Sequence, residues 1–323
     1  MKKLDFYLNS ENEVIKNSFF IEKTEDTNCE LRETLEVTIK NANEAFNKGC
    51  FDDYKVYISK DNKNWVKADE CSNTDEGYKF NMPTMYNYAC YYPDYHLEKL
   101  LDFVKFYGLT YNKLKAGQPY FIIGSSSRPA IILTSRLIPG DNIASFVTQA
   151  ILQEVIKTYK HLFKDYCFIF FPFVNISGFK ALNQFNDAFN YDLTTDWSNF
   201  NSKHSTFIKQ FINISDNINE DPELIPHTFI NIQGDFNPKT TINVECNLQN
   251  NIAKALKQTL AINKDYAFIN IEAFNPDSVC SYFESLGYSA ININVSYLNN
   301  TPTDNANTGK LIINKLAQAL KLN

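Results

Sequence analysis

The sequence predicts an α/β domain, a sheet with helices on both faces, preceded by a small β-sandwich. Three observations predict it. Apolar and polar residues alternate with period two through much of residues 1–90, as half-buried strands require. Beyond residue 91, continuous apolar runs fit for buried strands recur at 130–134, 167–171, 228–232 and 267–271. Amphipathic helical patterns lie between and after those runs.

In chain order, residues 35–39 (Leu-Glu-Val-Thr-Ile) and 54–59 (Tyr-Lys-Val-Tyr-Ile-Ser) alternate as strands. Asp61-Asn62-Lys63-Asn64 is turn chemistry, and Trp65-Val66 opens the return strand of a predicted hairpin. Residues 78–82 form a further strand. Near residue 91 the period changes: Pro93-Asp94 opens a helix in which Leu97, Leu100, Leu101 and Val104 keep helical spacing. Helices are predicted at 144–162, 252–260 and 310–322 among the four apolar strands. This divides the chain into a β-sandwich at 1–90 and an α/β domain at 91–323.

Apolar residues make up 44% of the 323, enough to bury a sizeable core. A net charge of -6 gives no basic footprint for nucleic acid. No run approaches the 18 or so apolar residues of a membrane span. The start of the sequence lacks the apolar core of a signal peptide. Seven scattered cysteines without a CxxC spacing fit free thiols in a reducing compartment. The expected location is therefore cytoplasmic, with signal-independent export as the alternative. Four separated histidines show no metal-ligand spacing, and neither a G-x-S-x-G elbow nor a phosphate loop is present. Cys167 lies in an apolar run and reads as a buried, inert thiol.

Several segments, taken together, carry a resemblance. Thr134-Ser135-Arg136-Leu137-Ile138-Pro139-Gly140-Asp141 is followed by Ala144-Ser145-Phe146 at a helix start. Phe171-Pro172-Phe173-Val174-Asn175-Ile176-Ser177-Gly178 follows the next strand. Asp192-Leu193-Thr194-Thr195-Asp196-Trp197, Asn231-Ile232-Gln233-Gly234-Asp235 and Phe268-Ile269-Asn270-Ile271-Glu272-Ala273-Phe274 come after it. In order and spacing these segments resemble the signatures of zinc metallocarboxypeptidases of the cytosolic branch. Residues 47–54 and 59–65 resemble that branch's small β-domain, and Tyr91-Tyr92-Pro93-Asp94-Tyr95 the segment that joins it to the next domain. The resemblance implies a carboxypeptidase-like mixed sheet flanked by helices.

It also implies where the family's chemistry would fall. The first zinc histidine falls on Ile138, the zinc glutamate on Asp141 and the second histidine on Gln233. The oxyanion arginine falls on Phe185, and the carboxylate-gripping Asn-Arg pair on Thr194 and Thr195. Hydrolysis by a lone zinc needs three protein ligands and an open position for water. Ile138 has no lone pair, Asp141 is a methylene shorter than glutamate, and a neutral amide such as Gln233 is a poor zinc ligand. Zinc is therefore expected to be absent, with no other cofactor in its place. Glu272, at the general-base position, keeps its carboxylate. Without a metal, water holds its pKa near about 15.7, so that carboxylate has little to act on.

The expected function is that of a pseudoenzyme retained to bind a protein or peptide, with Asp141, Gln233, Asp235 and Glu272 lining the old cleft. One alternative is a divergent hydrolase using Asp141, Gln233 and Glu272. Another is that the β-domain is the functional adapter and the larger domain an inert platform.

Overall fold

The computed structural model describes residues 2–322 apart from 12–13, 17, 25–33, 48, 214–224, 236–241, 248–250, 261–265, 271–272 and 298–300. The chain forms two compact units. One comprises Met1–Asp94 with short returns at Asp235–Thr240 and Ser296–Asn300. The other comprises Tyr95–Gly234, Thr241–Val295 and Thr301–Asn323.

The first unit carries strands β1 (Lys2–Phe6), β2 (Ser10–Glu11), β3 (Val14–Ile15), β4 (Phe20–Glu22), β5 (Thr34–Ile39), β6 (Tyr57–Ser59), β7 (Trp65–Lys67), β8 (Cys71–Thr74), β9 (Gly77–Pro83) and β10 (Tyr88–Cys90). They form two four-stranded sheets, β1-β5-β9-β8 and β4-β10-β6-β7, and a β2-β3 pair. The alternation read at 35–39 works as expected. Leu35, Val37 and Ile39 face Met82, Phe80 and Tyr78 of β9, and all six are buried. The hairpin over 61–64 is present, with Ile58 opposite Val66 and Ser59 opposite Trp65. Asp61 organises its turn by accepting from the Lys63 and Asn64 N–H groups. Its strand is shorter than the expected 54–59. Asp53 takes a φ of 55° just before it, and the Tyr54 carbonyl accepts from the Tyr78 hydroxyl at 2.5 Å instead of from a ladder N–H.

The second unit carries α1 (Leu97–Phe106), β11 (Asn112–Lys113), β12 (Pro119–Ile123), β13 (Ala130–Ser135), α2 (Asn142–Lys157), β14 (Cys167–Phe171), α3 (Ile176–Lys180), α4 (Lys203–Asn213), β15 (Pro226–Asp235), β16 (Ile242–Cys246), α5 (Asn251–Leu260), β17 (Tyr266–Asn270), α6 (Val279–Ser285), β18 (Ser289–Ser296) and α7 (Pro302–Leu322). The outermost residues of β15 and β18, Asp235 and Ser296, group with the first unit. An eight-stranded mixed sheet runs β11-β12-β14-β13-β15-β18-β16-β17. Its centre, β14-β13-β15, is parallel, while β12 and β18 run antiparallel to β14 and β16.

The central strands are buried on both faces, which explains their unbroken apolar sequence. Ala130, Ile132, Ile169, Phe171 and Phe229 point to a core shared with α4 and α6 through Ile208, Ile212, Val279 and Phe283. Phe229 and Phe283 stack with ring centroids 3.9 Å apart. On the opposite face α2 lies against β13 and α7 packs on α2.

The helix expected at 144–162 is shorter at one end and longer at the other. It begins at Asn142 because Asp141 caps it. It stops at Lys157: Tyr159, at φ -105° and ψ 23°, leaves the helical region, and a 3₁₀ turn over Lys160–Lys164 follows. No described helix is long and apolar enough to cross a membrane.

Gly309 sets how closely α7 approaches α2. A Cβ there would lie 2.4 Å from the Val147 carbonyl oxygen and 2.9 Å from Ala150 Cβ. Gly309→Val should therefore force the helices apart and destabilise the protein by about 1–3 kcal/mol. Urea unfolding monitored by circular dichroism checks this; an unchanged midpoint would mean that the crossing has slack.

Candidate functional site

The site grows from the end of β13. At Arg136 the chain leaves the strand with φ 60°, a left-handed conformation that a bulky side chain rarely adopts. The side chain compensates by bonding. The buried guanidinium donates to the Pro139 carbonyl from Nε (3.0 Å) and Nη2 (2.8 Å). It also donates to the Tyr95 carbonyl (2.6 Å), Ser145 Oγ (3.2 Å) and Asn142 Oδ1 (3.0 Å). It lies over the rings of Phe173 and Phe179, 4.7 and 4.8 Å from their centroids. The loop at 136–141 is thus held from within.

Asp141, 1% exposed, stands at the end of that loop. Its Oδ1 accepts from the Ala144 N–H at 3.1 Å, capping α2. Its Oδ2 accepts from the Gly234 N–H at 2.6 Å, tying the loop to β15. Gln233, beside that contact, is half-buried, as is Ile138. Gly140 donates to the Gln184 carbonyl at 3.1 Å, and Gln184 packs so closely that a Cβ on Gly140 would meet it at 2.9 Å. This places the half-buried Phe185 next to the same loop. Ile138, Asp141, Gln233 and Phe185 are therefore brought into one neighbourhood by Asp141–Gly234 and Gly140–Gln184.

Thr194 and Thr195 lie on the turn after Asp192. Thr194 gives both its N–H and its hydroxyl to Asp192 Oδ1, while Thr195 is exposed. Asp235 ends β15, and its carbonyl accepts from the Tyr297 N–H at 3.0 Å. Glu272 lies outside the described residues. Among the described residues, no group of three or more His, Cys, Asp or Glu side chains could hold a metal ion.

Two features escaped the sequence reading. Asn175 caps α3 through Gly178 and donates to the Leu137 carbonyl at 3.0 Å, fastening the end of β14 to the loop after β13. A polar chain also crosses the sheet from Thr134 to Asn231 (2.9 Å), to Asn292 (2.8 Å) and to Glu245 (2.8 Å). The asparagines within otherwise apolar strands were its sequence signal.

A second buried polar group lies under the loop that follows α3. His204 Nε2 is 2.7 Å from Ser177 Oγ. Asp187 accepts from the Ser202 hydroxyl at 2.6 Å, and Asp196 from the Asn201 and Ser202 N–H groups at 2.9 Å. Burial pushes the Cys167 thiol up to about 11, in keeping with an unreactive core cysteine.

Residues 3–95 match the family model of the cytosolic carboxypeptidase N-terminal domain. The whole chain superposes on a metallo-carboxypeptidase from Burkholderia cenocepacia, with a TM-score of 0.81, 13% identity, and 99% of this chain and 93% of that one covered. The chain has the carboxypeptidase fold. It superposes equally on a metallo-carboxypeptidase from Pseudomonas aeruginosa determined with (2-guanidinoethylmercapto)succinic acid. There the TM-score is 0.81 at 13% identity, covering 99% and 94% of the two chains. At such identity the likeness is one of fold. A comparison with curated proteins gives no match. Residues 3–95 thus match the N-terminal domain of cytosolic carboxypeptidases, and the chain as a whole shares the carboxypeptidase fold.

Within that domain, burial lowers the His204 pKa from the ordinary 6.5 to about 4, against the opposing pull of Asp187. Between those values the unfolded chain binds a proton that the folded imidazole refuses, so stability is full above pH 6.5 and falls as pH drops toward 4. Urea unfolding across that range should show the slope, and His204→Gln should flatten it. Identical slopes in both proteins would contradict the assignment.

Proposed function

We propose that this chain is a catalytically silent carboxypeptidase scaffold, kept to bind a protein or peptide. The observation that carries the reading is the engagement of Asp141. Each of its carboxylate oxygens accepts a backbone N–H, from Ala144 and from Gly234. On this reading the residues do not fit a zinc ion. Ile138 contributes only hydrocarbon, the Asp141 oxygens are committed to backbone, and Gln233 supplies a neutral amide. Structural zinc sites owe roughly 10–16 kcal/mol to complete sets of strong ligands, and such a set is missing here. The substrate positions support the same view. Phe185 and Thr194-Thr195 offer no guanidinium to grip a carboxylate or an oxyanion. With Asp141 engaged, the divergent-hydrolase reading loses one of its three oxygen donors.

Mass spectrometry of the desalted protein after incubation with zinc tests this. The expected result is negligible metal and no trimming of peptides. About one zinc per chain, with metal-dependent release of C-terminal residues, would overturn it.

A second reading places binding in the N-terminal domain. It is favoured by a pocket of about 440 Å³ lined by Phe51, Asp52, Asp53, Lys55, Ser72 and Asn73, among others. If a captured partner binds a Ser72→Trp variant, which fills that pocket, as tightly as the parent, this reading fails.

A further inference from the structure

The sheet face that meets α4 and α6 changes character along its strands. Ala130 and Ile132 of β13, Phe229 of β15 and Ala290 of β18 belong to the apolar core under those helices. Positions two residues apart on a strand share a face. The next positions on that face are Thr134, Asn231 and Asn292. β16 adds Glu245 and Asn243, paired in register with Asn292 and Asn294. Asparagine is a poor strand former, and a polar atom inside a sheet is costly without a partner.

The hydrogen bonds of this row all run one way. The Thr134 hydroxyl donates to Asn231 Oδ1 at 2.9 Å, Asn231 Nδ2 to Asn292 Oδ1 at 2.8 Å, and Asn292 Nδ2 to Glu245 Oε2 at 2.8 Å. The row therefore ends on a carboxylate, and its amides are oriented before any ligand arrives. A row serving the fold alone would close on itself, whereas this one is left open. Half-buried Glu245 takes only the Asn292 N–H, and a carboxylate offers about four lone-pair sites. Asn243, 8% exposed, makes no side-chain hydrogen bond among the described residues. Neither does half-buried Gln233, which continues the row past Asn231. Beyond Glu245, its register neighbour Ile269 on β17 is 40% exposed, so the face opens to solvent there.

Charge fixes the occupant. Among the described residues neither Glu245 nor half-buried Glu284 of α6 has a cationic partner. Both act on one sulfur: burial first, and then the charges of Glu245 and Glu284, push the Cys280 thiol up. No arginine follows Arg136 in the sequence, and the net charge of -6 draws cations toward the protein. A hard metal ion would need more carboxylate at hand than this row supplies. A carboxylate with amide oxygens beside it suits an ammonium or guanidinium, whose several N–H groups each need an acceptor.

We propose that Glu245, with Asn243, Asn292 and Asn294 beside it, seats the cationic side chain, lysine or arginine, of a basic peptide. The proposal rests on the reading of this chain as a binding scaffold and names the class of its ligand.

The test is fluorescence anisotropy of the full-length protein with labelled synthetic peptides that alternate alanine with lysine, arginine, glutamine or glutamate. The lysine or the arginine peptide should bind saturably, more tightly than the glutamine peptide, and more weakly as salt is raised. The glutamate peptide should not bind. Glu245→Gln keeps the shape and still accepts the Asn292 N–H. It should melt no lower than the parent by circular dichroism and bind about tenfold more weakly. Asn243→Ala should weaken binding about threefold, as loss of one hydrogen bond does. Glu98→Gln removes the same charge from the exposed side of α1 and should bind like the parent. Equal affinity for the lysine, arginine and glutamine peptides, binding of none, or equal losses in Glu245→Gln and Glu98→Gln would each overturn the proposal. Zinc content and peptide integrity, measured on the same samples, keep the two claims separate. Absent zinc with no binding of basic peptide defeats only the cation seat. One zinc per chain with trimmed peptide defeats the scaffold reading, while the Glu245→Gln comparison still decides the cation seat.

Discussion

The interaction on which the rest of the site depends is the burial of the Arg136 guanidinium. A charged group taken out of water is tolerated only when its N–H groups find acceptors. Arg136 meets that demand with the carbonyls of Pro139 and Tyr95 and the side chains of Asn142 and Ser145. Those acceptors lie on the loop itself, on the first turns of α2 and on the segment before α1. Satisfying one cation therefore fixes all three. Its left-handed backbone follows from the same requirement: only a sharp reversal at the end of β13 turns the side chain back under Pro139. Once the loop is fixed, Asp141 stands where it can cap α2 and reach Gly234, and Gly140 lies against Gln184.

The polar residues of this region share a pattern. Asp141 and Asn175 each cap a helix and also reach a neighbouring segment, β15 for the first and the Leu137 carbonyl for the second. Asp187 and Asp196 hold the ordered segment before α4 by accepting backbone N–H groups. Short acidic and amide side chains suit this work, because their oxygens sit close to their own backbone. A side chain held by two or more backbone donors is poorly placed to approach and leave a reacting atom. On the proposed reading, the polar groups around the former cleft have become structural fastenings.

Much of the fold was legible because burial writes itself into periodicity. The two-sided burial of β13 and β14 required unbroken apolar runs, and the alternation over 35–39 required one solvent face. The strands β16 and β18 were missed for the opposite reason: asparagines interrupt 242–246 and 289–296, and Asn292 bonds Glu245 and Asn294 within the sheet. Helix α6 was missed because its seven residues leave few apolar positions to report a period. At the site, the sequence placed Ile138, Asp141 and Gln233 by resemblance alone. That they adjoin follows from the parallel pairing of β13 with β15, Ser135 opposite Ile232, to which the Asp141–Gly234 contact adds; neither joins segments close in the chain, so neither could be read from them.

The closed loop after β13 bears on the scaffold reading. A hydrolytic site needs open coordination positions and room for water and substrate at the strand ends. Here the strand ends are drawn together: β13 to β15 through Asp141, and the end of β14 to the loop after β13 through Asn175. The Gly140–Gln184 contact brings the neighbouring segment down onto the same loop. That segment begins with Leu182 at φ 58°, where the Leu182 and Asn183 N–H groups donate to the Phe179 and Gly178 carbonyls and close the end of α3. On the proposed reading, the oxygens that a hydrolytic site would leave open toward metal and water are spent here on backbone N–H groups, so the strand ends serve to hold the fold together.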